Sequence, residues 1–218
     1  MPHTTRQFHY VALIMEGLDW QFRNDPTVFG AGMLSWYPDE ANLAIRQTPG
    51  VMVVEGRPKG DRSSYRQWEE VGITPRVVFD LLPSPPWHGE MIRKFQFYQR
   101  CGVDEYYAYD PERGDIDGWL RKDDLLVEIP NMEDWVSPRL KVKFTLENGE
   151  LVLYHPDGSR FLTYVELARQ REQAQRLAEQ EREARQQAER LVQRLLAEMK
   201  AHGIEPPADA AGGPPSPG

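Results

Sequence analysis

The chain has 218 residues, 40% of them hydrophobic, one cysteine, and a formal net charge of −8 at pH 7. That is enough apolar material for one sizeable core with appendages, and a mean hydropathy of −0.64 points to a polar appendage. The acidic balance gives no support for strong non-specific binding to nucleic acid, though it leaves room for a local basic groove, and the lone Cys101 excludes an intrachain disulfide framework or a cysteine-rich metal site.

No apolar run approaches the roughly 20 residues of a membrane span. The opening MPHTTRQFHY lacks the apolar centre of a signal peptide, so the expected location is cytoplasmic.

Residues 8–23, FHYVALIMEGLDWQFR, place apolar side chains at 8, 11, 14, 15, 18 and 22, which predicts a helix ended by NDP. TVFGAGMLSWYP reads as a strand, and a polar loop runs from it to residue 50. VMVVEG is a short apolar strand closed by Gly56. RPKGDRSSYRQWEEVG reads as a charged surface loop anchored by Tyr65 and Trp68.

In PRVVFDLL, Val77, Phe79 and Leu81 point to one side, while Val78, Asp80 and Leu82 point to the other. Both sides are apolar, so this is a central strand covered on both faces. PSPPW stops it. GEMIRKFQFYQRCG predicts a helix with Met91, Phe95 and Tyr98 on one stripe and Gly102 as its terminator. VDEYYAYDP is the next strand. The segments DGWLRK, DDLLVEIP and RLKVKFTLENGELVLYHPDGSR then read as a small β-rich annex with hairpin signals at ENGE and PDGS. The fold class is α+β.

From about Phe161 the composition shifts to Glu, Gln, Arg and Ala, with no Gly or Pro before Gly203. A heptad frame puts Leu177, Ala184 and Leu191 in one column. Ala174, Ala188 and Leu195 fall in the other, with Glu181 between them. Two readings stand: a coiled-coil homodimer, or a solitary solvated helix. GIEPPADAAGGPPSPG reads as a disordered tail. The resulting organisation is a domain over 8–145, a hairpin and connection over 146–166, a long helix over 167–202 and a tail over 203–218.

Asp80 is the chemical anomaly. A carboxylate in a dry core must be paired, hydrogen-bonded, protonated or bound to a cation. It stands at the wet end of its strand, pairs with a lysine or arginine, or belongs to a metal site. Lys94, on the following helix, is the partner to name. The alternative is an exposed Lys94 held by Glu90 at i,i+4.

Other candidates are weaker. The scattered His9, His88, His155 and His202 lack metal-ligand spacing, and Cys101 reads as packing. Arg57, Lys59 and Arg62 would either meet a nucleic-acid backbone or form a solvated loop. Tyr106, Tyr107, Tyr109 and Trp119 read as core.

GRPKGDRSSYRQWEEVGITPRVVFDLL, followed by GEMIRKFQFYQRCGVDEYYAYDPERGDIDGWLR, resembles the Uma-two family of bacterial restriction endonucleases, within the PD-(D/E)XK nuclease superfamily. The likeness continues through WVSPRLKVKFTLENGELVLYHPDGSRFLTYVELA and spans most of residues 8–168. It implies a nuclease-like mixed sheet flanked by helices. It also implies phosphodiester hydrolysis of DNA by two carboxylates on a divalent cation, normally magnesium, helped by a lysine on the next helix. On that pattern Asp80 is a catalytic residue and metal ligand, and Lys94 is the catalytic lysine.

The sequence departs from the pattern at the acids. Gly50 stands where the first acidic ligand is expected, in TPGVMVV. Asp80 replaces a glutamate, and Met33 stands where a further acid is expected. Glu55, five residues past Gly50, faces the opposite side by period two. Two outcomes follow: a magnesium-dependent endonuclease, or a catalytically inactive relative that acts by binding or by coiled-coil assembly.

Overall fold

The computed structural model describes residues 4–83 and 88–203; PSPPW from Ser84 onward and the tail from Ile204 lie outside the described residues. The chain divides into two compact units, Met1–Thr163 and Tyr164–Gly218.

In the first unit, helix α1 runs Thr5–Gln21. It starts three residues earlier than the apolar pattern suggests because Thr4 and Gln7 form a reciprocal capping box. Its buried face is Tyr10, Val11, Leu13, Ile14 and Leu18, whereas Phe8 is exposed.

The main sheet has six strands: β1 (Val28–Gly32), β3 (Val51–Glu55), β5 (Val77–Leu81), β6 (Glu105–Asp110), β7 (Asp115–Lys122) and β8 (Leu125–Glu128), in that spatial order. Within this sheet only β5 and β6 pair in parallel, and helix α2 (His88–Cys101) lies between them in the chain. The single strand expected over TVFGAGMLSWYP is broken at Met33, whose φ of 53° no strand accommodates. Its second half, β2 (Trp36–Tyr37), pairs instead with β4 (Tyr65–Arg66). The expected surface loop after Gly56 is therefore partly structured: Tyr65 is fully buried in β4, and a 3-10 turn covers Gln67–Glu70.

The predicted annex is also divided. DGWLRK and DDLLVE extend the main sheet as β7 and β8. β9 (Trp135–Val136), β10 (Lys143–Glu147) and β11 (Glu150–Tyr154) form a separate three-stranded sheet. The ENGE signal does turn the β10–β11 hairpin, with Asn148 at φ 53° and Gly149 at φ 78°.

Two apolar layers sandwich the sheet, and the period-two alternation assigns each residue to a layer. Val51, Val53, Val77, Phe79, Leu81 and Tyr107 pack with α1 and with Phe144 and Leu153 of the small sheet. Met52, Val54, Val78, Leu82, Tyr106 and Ala108 pack with Phe97 and Tyr98 of α2. Asp80, between Val78 and Leu82, faces the α2 layer.

The second unit contains helix α3, Tyr164–Ala201, with no buried residue. No helix among the described residues is long and apolar enough to cross a membrane.

Candidate functional site

Asp80 is the fourth residue of β5 and is 1% exposed. The wet-end explanation for it therefore fails. Its Oδ1 accepts from Lys94 Nζ at 2.8 Å and from the Gly50 backbone N–H at 3.2 Å. Its Oδ2 accepts from the Tyr106 hydroxyl at 3.2 Å. The βαβ crossover produces this convergence: α2 returns over β5 and β6, and Lys94 lies on the side of α2 that meets the sheet. The lysine is 17% exposed, and its ammonium goes to Asp80.

Two tyrosines complete the surroundings. Burial, and then the Asp80 charge, push the Tyr106 phenol well above its ordinary pKa. The same causes act in the same order on Tyr98. The Tyr98 hydroxyl is close enough to feel the carboxylate, yet it makes no hydrogen bond of normal geometry. Both phenols therefore stay protonated near neutral pH, and Tyr106 donates its hydrogen to Asp80 Oδ2.

Gly50 holds the other side. A Cβ built there would lie 2.9 Å from both the Phe79 carbonyl oxygen and Leu81 Cδ2. The backbone at residue 50 sits too close to β5 for a side chain, and that approach delivers its N–H to Asp80. Met33, the other position where an acid is expected, donates its backbone N–H to the Gly50 carbonyl at 2.9 Å. Glu55 is turned away and pairs with Arg139 at 2.6 Å.

One further acid shares the row. Asp80 pairs across the ladder with Ala108, and Ala108 with Asp117 of β7, so all three lie on the α2 face. Asp117 is two strand spacings from Asp80, about 9.6 Å. Asp117 is exposed, but the loss of water around its carboxyl, then the charges of Glu128 and Asp115, push its pKa up. Next to it opens a cavity of about 530 Å³ lined in part by Asp110, Arg113, Asp115, Asp117 and Glu133. Asp110 is 3% exposed and its Oδ2 has no hydrogen-bond partner.

These donors do not fit the divalent cation that the nuclease pattern requires. A hard cation of magnesium's size needs free carboxylate oxygens in near-octahedral array. Here the single carboxylate at the pattern's position is engaged at both oxygens, and its expected companions are a glycine and a methionine. Among the described residues, no three His, Cys, Asp or Glu side chains converge in a group able to hold a metal ion.

Several of the other candidates make contacts within the domain. Arg57 and Arg62 both clasp Glu70 at 2.6 Å, lowering its carboxyl pKa, and Arg62 stacks over Phe29. Lys59 approaches Asp19 at 3.9 Å. Tyr106, Tyr107 and Tyr109 are buried in the two layers. His155 hydrogen-bonds Gln21, and burial lowers its pKa. The contributions of Tyr106 and the Gly50 N–H were not anticipated from sequence. The signal for Tyr106 was available: it lies two residues from Ala108 on the strand beside Asp80, and so on the same face.

A crystal structure described as "a putative nuclease belonging to DUF820 from Anabaena variabilis" is similar over 63% of this chain and 73% of that one, with 10% identity and a TM-score of 0.46. No curated protein matches the chain. The model of the Uma2 family, described as "Putative restriction endonuclease", matches residues 1–149. With two thirds of its length matched, including the strand, crossover helix and strand that carry Asp80 and Lys94, the chain belongs to the Uma2 family.

Proposed function

We propose that this chain is a catalytically inactive member of its nuclease family, in which the former metal-binding corner has become a closed structural clasp. The observation that carries this reading is the engagement of both Asp80 oxygens by three donors of its own chain: Lys94, Tyr106 and the Gly50 N–H. A carboxylate so held keeps about one acceptor position, on Oδ2, and a buried carboxylate with one open position is a poor ligand for a hard cation. Releasing it would leave a nearly buried lysine and an amide without partners, which costs several kcal/mol. The acidic cavity next to Asp117 adds a second argument, since a pocket carrying four carboxylates against one arginine repels a phosphate backbone. On this reading the protein acts by binding or by assembly rather than by hydrolysis.

One observation favours the alternative, a magnesium-dependent DNA endonuclease: Asp80 and Lys94 do converge, 2.8 Å apart, as a nuclease acid and lysine would. A nicking assay separates the two. Supercoiled plasmid is incubated with enzyme in molar excess and either Mg²⁺ or Mn²⁺, with Asp80→Ala as control. The proposal expects the same background for wild type and variant. Nicking by the wild type that the variant loses would establish the endonuclease.

A further inference from the structure

We infer that the open cavity bounded by the end of β5, the first turn of α2 and the β6–β7 hairpin is a binding site for an aliphatic cation, a methylene chain carrying ammonium groups. The inference goes beyond the reading of Asp80, and it stands whether or not Asp80 supports catalysis.

The β-ladder gathers the acids. Asp110 of β6 stands opposite Asp115 of β7, and Ala108 stands opposite Asp117, so the three carboxylates share the face that Leu82 borders. Glu133, from the segment between β8 and β9, is the fourth acid of the lining. The one basic side chain there, Arg113, pairs with Asp115 at 3.2 Å. Asp110, Asp117 and Glu133 have no ion pair among the described residues.

Asp110 separates this cavity from an ordinary acidic surface. It is 3% exposed. Its Oδ1 accepts from the backbone N–H groups of Glu112 and Arg113, at 2.9 and 3.2 Å, and so shapes the turn. Its Oδ2 is closed to water and has no hydrogen-bond partner among the described residues. A buried carboxylate oxygen in that state is costly, and a cation relieves it. Asp104 Oδ2 is in the same state, and there Arg139 lies 2.5 Å away. Asp110 has no such arginine; it has the cavity. Asp117 is strained as well. Loss of water, then the charges of Glu128 and Asp115, raise its pKa, so a cation seated against it relieves a repulsion already present.

The rest of the lining selects the cation. Among the described residues, no three His, Cys, Asp or Glu side chains converge to hold a metal ion. The acids are spread along the wall, and Leu82, Met91 and Leu146 share it with them. Ammonium groups joined by methylenes match both features: each charge meets a carboxylate, and the chain between covers apolar surface. A volume of about 530 Å³ admits such a chain. Asp117 and Glu133, both exposed, make the contacts. The buried Asp110 charge acts from behind them, where water screens it little. Such a chain comes from a free polyamine or from the lysine side chains of a basic peptide.

Isothermal titration calorimetry on the full chain, without DNA or divalent metal, tests the site with two probes, spermidine and a blocked trilysine peptide. The expected result is saturable binding of at least one probe, one molecule per chain. Tighter binding of spermidine assigns the site to a free polyamine, and tighter binding of the peptide assigns it to a lysine-bearing partner. No saturable binding of either up to millimolar concentration would overturn the inference. Asp117→Asn/Glu133→Gln, on the exposed wall, should weaken binding by about tenfold or more. Asp110→Asn keeps an oxygen for the turn, loses the charge, and should weaken it too. Glu179→Gln/Glu183→Gln, on α3, removes as much charge outside the cavity and should bind as the wild type does. Wild-type affinity in the Asp117/Glu133 variant, or an equal loss in the α3 variant, would mean uptake by net charge alone and would also overturn the inference. None of these outcomes depends on the nicking assay.

Discussion

Lys94 Nζ lies 2.8 Å from Asp80 Oδ1, and the carboxylate it meets is 1% exposed. An ion pair this deep is held by mutual dependence. Asp80→Ala strips the charge partner from Lys94 and leaves the Tyr106 hydroxyl and Gly50 N–H unmatched. The expected loss in unfolding free energy is about 3–5 kcal/mol. Replacing both members, as in Asp80→Leu/Lys94→Met, should recover a large part of that loss. Urea denaturation of the two single variants and the double variant measures the coupling. Additive losses would mean that the pair does not interact.

Gly50 tests whether the acid can simply be put back. A side chain at residue 50 would press its Cβ to 2.9 Å from the Phe79 carbonyl oxygen. Gly50→Ala is therefore expected to destabilise by about 1–3 kcal/mol, the range for overpacking. Gly50→Asp should be worse, and calorimetry should find no gain in magnesium or manganese affinity. A stable Gly50→Asp protein with new metal binding would show that this corner opens readily.

The two tyrosines beside Asp80 should behave in opposite ways. Tyr106 donates to Oδ2, so Tyr106→Phe removes a charge-assisted hydrogen bond worth about 1.5–3 kcal/mol. Tyr98 keeps a buried hydroxyl that feels the Asp80 charge but makes no hydrogen bond of normal geometry. Tyr98→Phe removes an unmatched polar group and should leave the melting temperature unchanged or raise it. Thermal unfolding of both variants checks the contrast.

His155 gives a pH dependence. Burial lowers its pKa below the ordinary 6.5, and its ring packs 4.2 Å from Phe161. The unfolded chain therefore binds the proton more readily than the native one. The stabilisation is fully present above pH 6.5 and is lost as pH falls through the depressed native value. Chemical denaturation at a series of pH values from 7.5 downward should show this loss in the wild type. His155→Gln should show a flatter profile over the same window.

Much of this molecule could be read from residue order, for reasons visible in particular elements. In β5 the alternation of Val77, Phe79 and Leu81 with Val78, Asp80 and Leu82 maps onto the two layers of the core, because a strand buried on both faces has no other way to distribute its side chains. The start of α1 was legible less well: Phe8 continues the apolar spacing but is exposed, and the true start is set by a side-chain cap at Thr4. The break at Met33 was not legible at all, since methionine carries no signal for a positive φ. At the site, the pairing of Asp80 with Lys94 was one of several open readings from composition, and the family resemblance pointed to both residues. The role of the Gly50 amide depends on how closely two strands approach. That distance is a property of the packed sheet, which spacing along the chain does not encode.

The central claim is that the Asp80 carboxylate is occupied by its own chain. Titration of Mn²⁺ into the protein, followed by electron paramagnetic resonance of the free ion, with Asp80→Asn run alongside, addresses it directly. The account predicts overlapping curves with no Asp80-dependent site up to millimolar metal. One tightly bound ion per chain that disappears in Asp80→Asn would contradict it.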